Sequence, residues 1–188
     1  MQGSSVSNER GFSLIELIMV MAAMVTLAAV LVPSFKTLTL SMKARDAARK
    51  VERELQTARL KAVTVSRTLR VRFNCPSAGQ FRIIELTGIA ATDGSANRCS
   101  QTAFPFPAPI DTLKATPQFD SPVFSLPTGT TIAGTTLAFE FDPRGNVYAV
   151  NTGTGTVTKL TADASIAVAR YGWTNTVTIN ALGKIKLN

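Results

Sequence analysis

Apolar and polar residues follow one another along this chain in three successive patterns, and each predicts a different element. From Phe12 to Phe35 there is no alternation at all: the run is apolar throughout, and Glu16 is its only charged residue. These 24 residues, at ~1.5 Å each, make a helix of roughly 36 Å, long enough to cross a hydrocarbon core of ~30 Å. The run contains no glycine, so Pro33 is its breaker, and a kink or local unwinding is predicted there. From Lys36 to about Val65 the spacing becomes three and four. Ala44, Ala48, Val51, Leu55, Ala58, Ala62 and Val65 fall on one stripe, while Lys43, Asp46, Arg49, Lys50 and Arg53 lie off it. This is an amphipathic helix, and its small alanines allow a sheet to approach closely.

Beyond the helix the period becomes two. Arg67 to Phe73 places Leu69, Val71 and Phe73 on one face, and Gln80 to Thr87 reads as a second strand with Phe81 and Ile83 inward. The two predict a hairpin across Cys75 to Gly79. Residues 88–131 are rich in Ala, Thr, Ser, Pro and Gly, with prolines recurring from Pro105 to Pro127. They predict a long surface excursion with only short strands. Phe104, Phe106, Phe119 and Phe124 within it are expected to pin the loop to the core rather than to line a ligand site. The last third predicts a β-meander. Thr136–Phe141 and Asn146–Asn151 flank an Asp142-Pro143-Arg144-Gly145 turn, and further strands fall near 156–160, 166–171, 176–180 and 184–187.

Charge changes this picture in one place. The formal net charge is +8, and it is concentrated in residues 36–72, which hold 11 Lys or Arg against 3 Asp or Glu. A solvated helix face accounts for such a cluster, as do anionic lipid headgroups, acidic neighbours in a filament or nucleic acid phosphates. The chain has no histidine, and it shows no glycine-rich phosphate loop, paired-carboxylate spacing or nucleophile with a partner, so no enzymatic activity is expected. No cofactor or metal site is expected either. Cys75 and Cys99, with 23 residues between them, allow one disulfide or two free thiols.

Glu16 is the residue with most to explain. A carboxylate inside a membrane span costs about 2.5–3.5 kcal/mol on insertion scales and requires a cationic or polar surrounding. A secretory signal peptide has a shorter apolar region without an acid at its start, and a plain anchor has no use for Glu16. A short polar leader ending in Gly11, followed by Phe12, Ser13-Leu14-Ile15-Glu16 and a long apolar helix, resembles the class III signal of type IV pilins and type II secretion pseudopilins. The resemblance implies cleavage by a prepilin peptidase between Gly11 and Phe12, N-methylation of Phe12, and assembly roles for Glu16 and the helix-breaking Pro33. Cleavage would create an α-ammonium four residues from Glu16, and in a helix packed with an axial offset the amine of one subunit would face the carboxylate of the next. The basic residues after the span, Lys36, Lys43 and Arg45, against a leader whose Arg10 is offset by Glu9, favour the opposite topology by charge alone. The processing signal, which must face the cytoplasm to be cut, decides the matter.

The implied organisation is a cleaved leader at 1–11, a transmembrane assembly helix at 12–35, and a periplasmic globular domain at 36–188 that is helical to about residue 65 and β-sheet after it. The fold class is α+β, a long N-terminal helix packed on an antiparallel β-sheet. In an oxidising periplasm, pairing of Cys75 with Cys99 is the expectation. The turn from Phe141 to Gly145, together with a final Gly183-Lys184-Ile185-Lys186 strand, is similar to the GspH/FimT group of minor pilins and pseudopilins. That group often has Gly-Arg-x-Arg at this last position. The implied function is a minor pilin of a type IV pilus, with a type II secretion minor pseudopilin as the alternative. The implied partners are prepilin peptidase, other pilins and the inner membrane. DNA is a further implied partner through Lys184 and Lys186, where lysine keeps the charge of arginine but not its bidentate fork.

Overall fold

The computed structural model describes residues 13–95, 97–111, 116–134 and 136–188. It divides into two units, one reaching Leu40 and the other running from Ser41 to Asn188. One helix, α1 (Leu14–Val65), contributes to both. The helix assignment is continuous through Pro33, so the local unwinding expected there does not occur. Proline removes one backbone donor, but the rest of the hydrogen-bond ladder persists on both sides of it.

In the second unit the predicted stripe of α1 becomes core. Ala44, Ala48, Val51, Leu55, Ala58 and Ala62 are fully buried, and Ala47 joins them. Eleven residues of separation per three turns keep these positions on one side, and the alanines leave room for backbone. The predicted hairpin forms from β1 (Leu69–Phe73) and β2 (Gln80–Glu85), with Val71 opposite Ile83 and Phe73 opposite Phe81. The excursion that follows holds the single turn α2 (Ala90–Asp93), the two-residue β3 (Phe124–Ser125) and β4 (Thr130–Gly134). The meander supplies β5 (Ala138–Phe141), β6 (Val147–Val150), β7 (Val157–Lys159), β8 (Ala164–Arg170), β9 (Trp173–Ile179) and β10 (Ile185–Leu187).

These strands form two antiparallel sheets where the sequence predicts one. The first has six strands in the order β3-β2-β1-β5-β6-β7, and the second has four in the order β10-β9-β8-β4. The meander divides after β7 because β8 and β9 carry their own apolar face. Ile166, Val168, Val177 and Ile179 are fully buried and enter the same core cluster as Leu69, Val71, Phe139 and Phe141 of the first sheet. Two amphipathic sheets and one helix stripe thus share a single interior, which is the usual way such faces leave water. Strand β9 begins three residues earlier than predicted, because Tyr171 and Gly172, both with positive φ, make a two-residue turn that pairs Arg170 with Trp173.

Candidate assembly helix and the ties of the globular unit

Residues 13–40 are a helix with its apolar surface turned outward. Ser13 opens it, its carbonyl accepting from the amides of Glu16 at 3.0 Å and Leu17 at 3.1 Å. Glu16 lies in the first turn, where the free amides and the helix dipole favour an anion by about 0.3–1 kcal/mol. Among the described residues no ion pair involves Glu16. Leu14, Ile18, Met24, Leu27, Val32 and Phe35 are all more than half exposed. The hydroxyls of the segment close on the helix itself: Thr26 donates to the Ala23 carbonyl at 2.8 Å, Thr37 to that of Pro33 at 3.1 Å and Thr39 to that of Phe35 at 2.8 Å. These three threonine hydroxyls are therefore satisfied within the helix and add little resistance to an apolar medium. Each large apolar side chain removed from water is worth about 1.5–3 kcal/mol, so about three of them outweigh the cost of Glu16. The helix is long and apolar enough to cross a membrane. Gly11 and Phe12, where cleavage is expected, lie outside the described residues.

In the globular unit the charged side of α1 is not simply a solvated face. Lys50 Nζ donates to the Ser125 carbonyl at 2.9 Å, Lys61 Nζ to that of Phe119 at 2.8 Å, and Glu52 Oε1 accepts from the Leu187 amide at 3.3 Å. Burial pushes the Lys61 pKa down, against the opposing pull of Asp120 and Glu85. Arg59 reaches two separate turns. Its Nε donates to the Gly145 carbonyl at 3.3 Å and its Nη2 to that of Leu182 at 3.2 Å.

Those two carbonyls belong to twin turns. In the first, the Asp142 carbonyl accepts from the Gly145 amide at 2.9 Å, and Asp142 Oδ1 accepts from the amides of Arg144 and Asn146. In the second, the Asn180 carbonyl accepts from the Gly183 amide at 2.8 Å, and Asn180 Oδ1 accepts from the amides of Leu182 and Lys184. Gly145 has φ +80° and Gly183 +79°, which glycine alone adopts without strain. A Cβ on Gly183 would stand 2.9 Å from the Arg59 guanidinium. The Phe141-to-Gly145 turn and the Gly183 strand entry, paired in the sequence by resemblance alone, are thus two copies of one device closed on one arginine. Arg59 itself escaped sequence reading, because an arginine on the polar side of an amphipathic helix carries no mark of what it reaches.

Lys184 directly precedes the edge strand β10 and Lys186 lies on it; both are exposed, while Ile185 is buried and Leu187 half-buried. Arg59, Lys184, Leu60 and Leu182 line one open groove of about 360 Å³.

The excursion is held by charge more than by its aromatics. Arg82, Arg98 and Asp120 are almost wholly buried. Arg98 grips Asp120 through Nη1 at 2.8 Å and Nη2 at 3.0 Å, and the Arg82 guanidinium lies 3.6 Å from the same carboxylate. Arg82 also donates to the carbonyls of Ser121, Arg98, Ser100 and Phe104. Burial pushes the Asp120 pKa up, opposed by the Glu85 amide and by Arg98 and Arg82. Glu85 Oε2 accepts from the amides of Gln118 and Phe119. The disulfide joins Cys75 to Cys99 with Cα atoms 5.5 Å apart, inside the usual range. Of the four predicted aromatic anchors, Phe119 and Phe124 pack on the core and Phe104 lies under the Arg98 guanidinium. Phe106 is 49% exposed and anchors nothing, because the guanidinium bonds to neighbouring carbonyls already fix this stretch. The one sequence sign of the network was Arg82 set between Phe81 and Ile83, a charge in the middle of an apolar strand.

No family profile matches the sequence, and no curated protein matches it. Among solved structures the chain is similar to the type IV minor pilin FimU of Pseudomonas aeruginosa, at 15% identity over 77% of this chain and 91% of that one, TM-score 0.42. It is also similar to the minor pseudopilin EpsH of the Vibrio cholerae Type 2 Secretion System, at 11% identity over 78% of this chain and 96% of that one, TM-score 0.44.

Proposed function

We propose that the protein is a structural subunit of the minor pilin type, which prepilin peptidase cleaves between Gly11 and Phe12 and N-methylates at Phe12. Its helix, residues 12–35, holds it in the inner membrane and then packs among the helices of other pilins, with residues 36–188 on the periplasmic side. The observation that carries this reading is the exposed apolar helix with a single carboxylate in its first turn. In a bundle of like helices the new amine of one subunit neutralises Glu16 of the next, so the charge that burdens insertion directs assembly. The host filament is a type IV pilus, the type II secretion pseudopilus being the alternative. Intact-mass measurement on membrane-purified protein tests the proposal: a mass lacking residues 1–11 and carrying one added methyl is expected. A retained leader in cells with active peptidase, or cleavage within the apolar run, would sink it. Glu16→Ala is expected to stay inserted and cleaved but to be depleted from sheared filaments, and undiminished incorporation would show the pairing to be dispensable.

The exposed pair Lys184 and Lys186 supports a subsidiary reading in which the subunit contacts DNA through phosphate. Such binding would be independent of sequence and fall steeply with salt. Anisotropy titration at two salt concentrations is expected to show it weakened in Lys184→Ala/Lys186→Ala.

A further inference from the structure

The outward face of the six-stranded sheet, the side away from α1's buried stripe, is crowded with arginine. Arg70 and Arg72 alternate with the buried Leu69, Val71 and Phe73 on β1, and Arg72 stands directly across from Arg82 on β2. Like charges opposed on neighbouring strands destabilise a sheet unless each is neutralised. Two of the neighbours are. Arg70 is paired with Glu140, and Arg82 shares Asp120 with Arg98. Arg72 is not: among the described residues its side chain makes no hydrogen bond and no ion pair. It is half-buried, and burial, with Arg70 and Arg98 nearby, pushes its pKa down.

Arg72 lines a cavity of about 340 Å³ whose wall includes the disulfide-bonded Cys75 and Cys99. Asn97, Ser100 and Thr152 line the same cavity, and among the described residues no carboxylate does. Each of the three has a donor to give. The Ser100 oxygen already accepts from the amides of Thr102 and Ala103, which leaves its hydrogen to donate. The Asn97 carboxamide is engaged through its oxygen with Ser95, which leaves its NH₂. The Thr152 side chain forms no hydrogen bond among the described residues. A smaller neighbouring cavity, also bordered by Arg72, holds Asp93, but the oxygens of that acid already accept from the Thr87 amide and hydroxyl and from the Gly88 amide.

We infer that the larger cavity is a carboxylate-binding site, with Arg72 as the bidentate partner and Thr152, Ser100 and Asn97 as neutral donors around it. One uncompensated positive charge with neutral donors suits a monoanion, and the planar guanidinium fork suits a carboxylate. The carboxylate comes either from an acidic side chain of another protein subunit or from a free organic acid. The site goes beyond the pilin reading and does not depend on it.

Full-length protein in detergent micelles, labelled with ¹⁵N-arginine, provides the test through the arginine Nε–Hε resonances. Sodium acetate is expected to move one resonance saturably, and that resonance is expected to be missing in Arg72→Gln. No movement of any resonance, or the same saturable movement persisting in Arg72→Gln, would overturn the inference. So would inorganic phosphate binding more tightly than acetate. Arg72→Lys keeps the charge and loses the fork, and is expected to weaken acetate roughly tenfold. Thr152→Val keeps Arg72 and is the check if the arginine variants fold poorly. It is expected to raise the acetate Kd a few-fold, and an unchanged Kd would place the anion elsewhere. A short glutamate-containing peptide binding more tightly than acetate identifies the source as an acidic side chain, and acetate binding alone identifies a free acid.

Discussion

Two acids of this chain sit in opposite circumstances. Glu16 stands in the first turn of an exposed apolar helix, with no ion pair among the described residues. Asp120 is buried with a side-chain exposure of 1%, between two guanidinium groups that are themselves fully buried. The same contrast holds for the apolar residues around them. Leu27 is 63% exposed and Leu55 is fully buried, though both belong to α1. Helix propensity does not separate these cases, since a leucine favours a helix equally in either. What separates them is whether the chain supplies a partner. The globular unit satisfies its own apolar stripe and its own buried charges, whereas among the described residues the apolar side chains of 13–40 stay exposed and Glu16 has no ion pair.

The largest effect that tests this contrast concerns the acids. Asp120→Ala leaves two buried arginines uncompensated and is expected to cost about 3–5 kcal/mol in urea unfolding. Glu16→Ala is expected to leave the same unfolding midpoint unchanged. Next come the leucines: Leu55→Ala is expected to cost about 2–5 kcal/mol, whereas Leu27→Ala leaves the globular unit's midpoint in place and lowers only retention in membranes. Comparable costs for both leucines would break the contrast.

Smaller effects sharpen the account of the globular unit. Cys75→Ser/Cys99→Ser releases a cross-link of sequence separation 24 and is expected to cost about 2–4 kcal/mol. Arg59→Ala removes two hydrogen bonds to turn carbonyls from a charged donor and is expected to cost about 1–3 kcal/mol. Hydrogen exchange at Gly145 and Gly183 is expected to rise together in that variant. The least effect is one of pH. Burial pushes the Asp142 pKa up, but hydrogen bonds from the Asn146 side chain and amide, the Arg144 amide and the Tyr148 hydroxyl outweigh it, and the carboxyl is held below its ordinary value. A depressed folded pKa stabilises at pH above the unfolded value, and that stabilisation fades as pH falls through the folded one, from about pH 4 downward. Asp142→Asn is expected to flatten this part of the stability profile, and equal slopes in both proteins would refute the assignment.

The parts of the fold that follow periodicity were legible. Spacings of three and four marked the helix stripe except at Ala47, which was missed, and Val65, which is only half-buried, and strict alternation in Leu69-Arg70-Val71-Arg72-Phe73 gave both the strand and its inward face. Turn chemistry gave Asp142 to Gly145. What was not legible depends on residues distant in sequence. That β4 leaves the excursion to pair with β8, and hence that there are two sheets, is written in no local pattern. The roles of Arg82, Arg98 and Arg59 follow from carbonyls and carboxylates up to 123 positions away. In residues 13–40 the relation reverses: the apolar run and Glu16 were read directly, because their pattern is local to the segment.

Arg59 joins a turn 86 residues away and another 123 residues away, and Glu52 holds the Leu187 amide across 135. Contacts of such separation are the last to form, since the chain between must first be made and folded. A polypeptide halted before Asn180 has every strand of the six-stranded sheet and both cysteines, yet the helix lacks the second of its turns. The guanidinium of Arg59 thus has both of its carbonyls only when residues 180–184 are in place, and a chain shortened before Asn180 leaves it one.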